Sequence, residues 1–228
     1  MKNLNLFRQR LVWMPTIAGW LFLIIICTVT FMLLAINLYS FLAPNEPVSA
    51  HILVVEGWLS PEELDQAAQS FKKGKYERII TTGGPISGWQ EMFLDADYAT
   101  FAADFLSKRG IKRDQITPVT APWSAQDRTF LSAVMLRRYL QDSEIKIDAI
   151  DVFSSGPHAR RSRLLFQMAL GNKIGVGILA AKPNGYDPDA WWRTSMGVET
   201  MVFQSLGLVW VKCCFWPGSR GSKNELWG

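Results

Sequence analysis

The sequence predicts an α/β fold: a three-layer α/β/α domain around a five-stranded parallel sheet, preceded by one transmembrane helix. Three observations carry this. Residues 17–42 form an apolar run without a single charge. Beyond it, five short apolar runs recur, separated by segments with helical apolar spacing. The first of them is continuously apolar rather than alternating, the mark of a strand buried on both faces of a parallel sheet. Strands alternating with helices imply right-handed crossovers and helices on both sheet faces.

The leading run exceeds the ~20 residues that span a bilayer. A cleavable signal peptide is the alternative, since Val48-Ser49-Ala50 resembles a cleavage site. Its apolar core would be only ~7–15 residues, and cleavage would fall against the first strand, so the run is read as an anchor. Lys2, Arg8 and Arg10 precede it and no Lys or Arg follows until Lys72. The positive-inside rule then keeps the amino terminus in the cytoplasm and puts the domain outside it. The chain divides into a cytoplasmic segment (1–16), the transmembrane helix (17–43), a linker around Pro44 and Pro47 (44–50), the α/β domain (51–216) and a flexible tail (217–228).

The elements follow in order. His51–Val55 is the first strand, ended by Glu56-Gly57-Trp58. Ser60, Pro61 and Glu63 spell a capping box with proline at the first helical position, and Leu59 and Leu64 a hydrophobic staple. Leu64, Ala67, Ala68 and Phe71 supply that helix's buried stripe, with Gly74 as its stop. Arg78–Thr82 is the second strand, followed by Gly83-Gly84-Pro85 and a loop rich in Gly and Trp. A helix from about Asp95 to Lys108 closes at Gly110. Gln115–Val119 is the third strand, and Asp127 caps the helix carrying Phe130, Leu131, Val134 and Leu140. Ile147–Phe153 and Ile174–Leu179 are the fourth and fifth strands. The Trp-rich region up to Trp216 is interrupted by Glu199, Gln204 and Lys212, which argues against a second span. It reads as a helix packed on the domain or as an interfacial helix that sets Trp210, Phe215 and Trp216 near the bilayer.

The stretch Asp151–Leu170 passes from strand through a tight turn into helix. Such junctions lie at the carboxyl edge of a parallel sheet, where free N–H groups and the positive end of a helix attract anions. His158 and Arg161 sit there, one turn apart on one helix face. With strand order 3-2-1-4-5 the crevice opens between strands 1 and 4. It would gather Glu56 and Gly57, then Gly83 and Gly84, then Asp127, Arg128 and Thr129, then Ser154, Ser155, His158 and Arg161. Glycines and N–H groups admit a phosphate or carboxylate, and Arg161 supplies a fork of donors. His158, Glu56 and Asp127 are the candidate catalytic groups, with His158 moving a proton and a carboxylate orienting it. The plainer readings are a helix cap for Asp127, a turn for Gly83-Gly84 and a solvated helix face for Arg160 and Arg163.

Other classes are disfavoured. The formal charge is +4, but three basic residues and one acidic residue fall in the first 50, so the rest is nearly neutral. A nucleic-acid partner would need a concentrated basic face. Three cysteines cannot build a disulfide framework and two histidines cannot assemble the usual zinc spacings, so no metal site is assigned. No dinucleotide fingerprint, phosphate-loop motif or nucleophile elbow is present.

The run Ser154-Ser155-Gly156-Pro157-His158-Ala159-Arg160-Arg161 resembles the strand-end pattern of the SanA/YdcF/ElyC-like family of bacterial envelope proteins. The Gly83-Gly84 turn and the Thr129 helix start are similar to its other landmarks, over about Ile52 to Phe215. Two positions depart: Glu56 precedes Gly57 where the family often has Gly-Gly, and Pro157 stands where an aromatic is common. The resemblance implies a Rossmann-like domain at the bacterial inner membrane with a role in cell-envelope and peptidoglycan integrity. The expected ligand is a phosphate-bearing precursor, lipid-linked or free. No reaction or cofactor follows. A non-catalytic scaffold in envelope biogenesis, and a cytoplasm-facing nucleotide or S-adenosylmethionine enzyme, stay open as alternatives.

Overall fold

The computed structural model describes residues 13–86, 97–123, 127–143, 145–222 and 225–226. The chain divides into two compact units, one up to Asn37 and one from Leu38 onward. The first holds most of α1 (Ile17–Leu42), a 26-residue uncharged helix that is long and apolar enough to cross a membrane. The basic residues Lys2, Arg8 and Arg10, on which the expected orientation rests, lie outside the described residues.

The second unit is α/β. Its strands are β1 (Ile52–Glu56), β2 (Arg78–Gly83), β3 (Ile116–Thr120), β4 (Ala149–Ser155) and β5 (Gly175–Ala181), all parallel in the order β3-β2-β1-β4-β5. Between them run α2 (Pro61–Lys73), α3 (Tyr98–Lys108), α4 (Arg128–Asp142) and α5 (Ala159–Leu170), and α6 (Ser195–Cys213) follows β5.

Alternation along β1 sorts the core into two layers, because successive side chains of a strand face opposite ways. Ile52 and Val54 join the layer under α4 and α5, around Phe130, Leu136, Leu165 and Phe166. Leu53 and Val55 join the layer under α2 and α3, around Leu64, Ala68, Ala102 and Leu106. The connections change face between β1 and β4, and this reversal makes the crevice.

Strand ends run past the apolar residues that mark them in the sequence. Glu56 pairs in register with Thr82 and Ser155 with Ala181, since ladder hydrogen bonds need backbone and not apolar side chains. The capping box of α2 forms: Ser60 Oγ accepts from Glu63 N (3.3 Å) and Ser60 N donates to Glu63 Oε2 (3.0 Å). Gly74 ends α2 with φ −80°, without the left-handed turn that a glycine stop suggests, whereas Gly110 after α3 adopts φ +84°. Helix α3 starts at Tyr98 behind Asp97, which accepts from Thr100 N (2.8 Å); Asp95 and the Gly/Trp-rich loop fall outside the described residues.

The segment expected as a linker is tied to the sheet. Glu46 exchanges backbone hydrogen bonds with Ile178 (2.8 and 3.1 Å). Buried Asp151 accepts from Val48 N (2.7 Å), Ala50 N (3.3 Å) and the Tyr76 hydroxyl (2.9 Å). Leu42, the last residue of α1, is 1% exposed. Helix α6 packs on the domain through Met201, Leu208 and Val211, which is the first of its two sequence readings.

Where it is described after Trp216, the segment expected to be a flexible tail outside the domain contacts the domain. Glu225 is 1% exposed and bidentate to Arg137, a pairing that no local pattern announces.

Candidate functional site

At the carboxyl ends of β1, β2 and β4 lies a cavity of about 670 Å³. Glu56 and Trp58 form one wall, the Thr82–Pro85 turn and Tyr98 a second, Asp127–Thr129 a third, and His158, Arg161, Phe203 and Gln204 the fourth. The crevice thus draws on the ends of three strands and the first turns of α3, α4 and α5, with α6 closing one side.

The Gly156–His158 turn after β4 carries His158 over the strand end before α5 begins at Ala159. Its ring is 5% exposed and held edge-on by Trp58, with ring centroids 5.0 Å apart. Arg161 Nη2 donates to His158 Nδ1 at 2.9 Å, and Gln204 Oε1 is placed 3.0 Å from the same nitrogen. A guanidinium only donates, whereas a glutamine amide can turn either end to the ring, so with Gln204 presenting its NH2 group Nδ1 holds the lone pair and the ring proton sits on Nε2. Nε2 faces Thr129 Oγ1 (3.5 Å) and Glu56 Oε1 (3.9 Å). Burial, and then the neighbouring Arg161 charge, push the imidazole pKa down to about 3. His158 is therefore neutral at physiological pH and offers one N–H to the crevice.

Glu56 is the opposite case. At 2% exposure its carboxyl is pushed up to about 7 by burial, even though hydrogen bonds from Ser154, Ser162 and Trp58 and the charge of Arg161 favour the anion. Ser162 Oγ donates to Glu56 Oε2 at 2.9 Å, and Ser154 Oγ lies 3.0 Å from Ser162 Oγ. A carboxyl that titrates near neutrality beside an imidazole N–H is suited to take or give a proton.

Asp127 caps α4, accepting from Phe130 N at 3.2 Å, and its carboxylate also lines the crevice. Burial raises its pKa, against the hydrogen bonds from Phe130 and Thr129 and the charges of Arg161 and Arg128. Cap and site are one residue here. Arg161 is half-buried and, among the described residues, has no carboxylate within 4.0 Å. Its Nε is fully buried without a hydrogen-bond partner, as is Thr82 Oγ1 on the facing wall.

Of the residues singled out from sequence, Glu56, Gly83, Gly84, Asp127, Arg128, Thr129, His158 and Arg161 converge on the crevice. Gly57, Ser154 and Ser155 do not line it. A side chain at Gly57 would collide with the Tyr98 carbonyl, its Cβ only 2.3 Å from that oxygen, and one at Gly83 would strike Tyr98 Cβ at 2.7 Å. Both glycines serve the close approach of α3 to the sheet, and Gly83 lines the crevice besides. Ser154 is buried behind Glu56, while Ser155 points to the other face and donates to Glu63 Oε1. Trp58, Thr82, Tyr98, Ser162, Phe203 and Gln204 complete the site without having been singled out. Ser162 alone had a local signal, lying one turn beyond His158 on α5.

Fold and site together define a doubly wound α/β domain with a polar crevice at its topological switch point. The chain matches no known protein-family model, and no curated protein aligns with it significantly.

Proposed function

We propose that this chain is a membrane-anchored envelope protein whose α/β domain, held outside the cytoplasm, binds or processes a phosphate-bearing cell-wall or polysaccharide precursor in the crevice. The observation that carries the ligand class is Arg161: a cation in a crevice wall that feels the charges of Asp127 and Glu56 but has no carboxylate within 4.0 Å among the described residues and leaves a buried donor unused. Such a group is costly unless an anion meets it. The His158 N–H, the Thr82 and Thr129 hydroxyls and the Arg128 guanidinium lie around the same space and add donors. Glu56 is the residue in reach with the protonation chemistry for a transfer step. The anchor rests on α1, and the orientation on the basic residues that precede it in sequence. The envelope role, and a lipid link on the precursor, rest on the likeness of Ser154–Arg161 to the SanA/YdcF/ElyC-like pattern.

The test is a titration of the full-length protein in nanodiscs with inorganic phosphate and pyrophosphate, followed by calorimetry. Arg161→Gln removes one charged donor set, worth about 1.5–3 kcal/mol, and should weaken binding roughly 10- to 100-fold. Equal binding by wild type and variant, or no saturable binding by wild type, would overturn the anion reading.

A further inference from the structure

The outward side of α6 is apolar and uncovered. Val198, Val202, Phe203, Leu206, Val209 and Trp210 are 39–65% exposed and fall on one side at helical spacing, opposite buried Met201, Leu208 and Val211. Glu199, in the first two turns, is the one charged residue on that side. A contiguous apolar surface of this kind marks contact with a membrane or a partner.

What covers it follows from the last residues of α1, which belong to the α/β unit. Leu42 at the end of α1 is already buried in the same compact unit as the sheet, and Glu46, Val48 and Ala50 are bonded to β5 and β4. There is no free tether. The chain leaves this unit at Leu38 and is apolar helix from there back, so by connectivity the domain surface around residues 38–42 is held close to the headgroup layer of a bilayer that α1 enters. Tyr39 lies against Gly156, the first residue beyond β4, so this surface belongs to the carboxyl edge. The first turn of α5 then joins it to α6. Arg160 stacks over the Phe41 ring at 4.2 Å, and the next residue, Arg161, lies against Gly207 of α6 and 6.0 Å from the Phe203 ring.

We propose that the outward face of α6 lies on the bilayer that α1 enters, as an interfacial helix that gives the domain a second, non-spanning membrane contact. Phe203 belongs to both this face and the crevice wall, so the contact sets the crevice mouth at the headgroup layer. This inference is independent of what the crevice binds.

The experiment uses full-length protein in vesicles of phosphatidylethanolamine and phosphatidylglycerol, with Cys27, Cys213 and Cys214 replaced by Ser. A single environment-sensitive fluorophore is placed by Leu206→Cys or, as the control at the opposite edge of the sheet, by Lys112→Cys. Quenching by shallow nitroxide lipids should be severalfold stronger at 206 than at 112, and quenching by aqueous iodide severalfold weaker. Equal access of iodide to both positions overturns the proposal. So does a label at 206 shielded from iodide and lipid alike, which would mean that a protein, or a second copy of the chain, covers the face. Should Leu206→Cys lower the melting temperature, Val202→Cys on the same side replaces it.

Discussion

Arg161 Nη2 donates to His158 Nδ1 across 2.9 Å, and this contact fixes which nitrogen of the ring faces the crevice. A protonated ring would have to give up that bond and sit buried beside a fixed cation, so the imidazole stays neutral. With only two histidines in the chain, His51→Gln leaves a single imidazole to observe. Nitrogen NMR of the histidine-labelled variant should show His158 as the Nε2–H tautomer throughout the range from about pH 5 to 8. Arg161→Met should raise its pKa without restoring the ordinary value, since burial, the larger cause, remains. An imidazolium at neutral pH would refute the assignment.

Glu56 and His158 bend the pH dependence of stability in opposite directions. Raised from 4.5 to about 7, Glu56 binds its proton more tightly in the folded state. Its contribution is complete below pH 4.5 and lost as pH rises through about 7. Lowered from 6.5 to about 3, His158 contributes fully above pH 6.5, and that contribution is lost as pH falls toward 3. The slopes oppose each other between 4.5 and 6.5. Glu56→Gln should therefore gain melting temperature relative to wild type as pH is raised through neutrality. His158→Gln should gain relative to wild type as pH is lowered. Parallel melting curves for all three proteins at every pH would contradict the burial of both groups.

Ser60 and Glu63 hold the first turn of α2, and Glu63 also receives the Ser155 hydroxyl from the end of β4. Ser60→Ala removes one cap bond and should cost about 1 kcal/mol by denaturant unfolding. Glu63→Ala takes away the reciprocal bond and the link to β4, and should cost more than Ser60→Ala. Equal costs would mean that the Ser155 contact adds nothing to stability.

These cases show where the sequence speaks and where it stops. Continuous apolar runs, a capping box and the His158-to-Arg161 spacing are local patterns, and from them the five parallel strands and most of the crevice were legible. Ser154 and Ser155 together read as site residues, although neighbours on a strand must face opposite sides; one backs Glu56 and the other meets Glu63. Gly57 reads as a ligand seat because nothing nearby in sequence shows Tyr98 of α3 coming within contact of it. Gln204 reaches His158 from 46 residues away on a helix whose packing no periodicity specifies. What was missed depends on contacts between distant segments.

The same holds for the chain end. Arg137 Nη1 and Nη2 donate to Glu225 Oε1 and Oε2 at 2.7 and 2.6 Å, and Nη1 also donates to the Ala169 carbonyl. Gly221 N donates to Glu225 Oε2 at 2.6 Å, so the carboxylate closes its own loop while it neutralises a guanidinium that is 8% exposed. Glu225→Ala leaves that cation buried without its counter-ion, which should cost about 3–5 kcal/mol. For a chain of this size each kcal/mol lowers the melting temperature by about 2–4 °C, so a fall of roughly 6–20 °C is expected. Arg137→Met combined with Glu225→Leu removes both charges at once and should recover most of the loss, because neither then has to be desolvated. Calorimetry on the two variants decides it. A single variant that melts like wild type would mean that the last residues do not hold the domain, and a double variant no better than the single would mean that the hydrogen bonds, rather than the unpaired charge, set the cost.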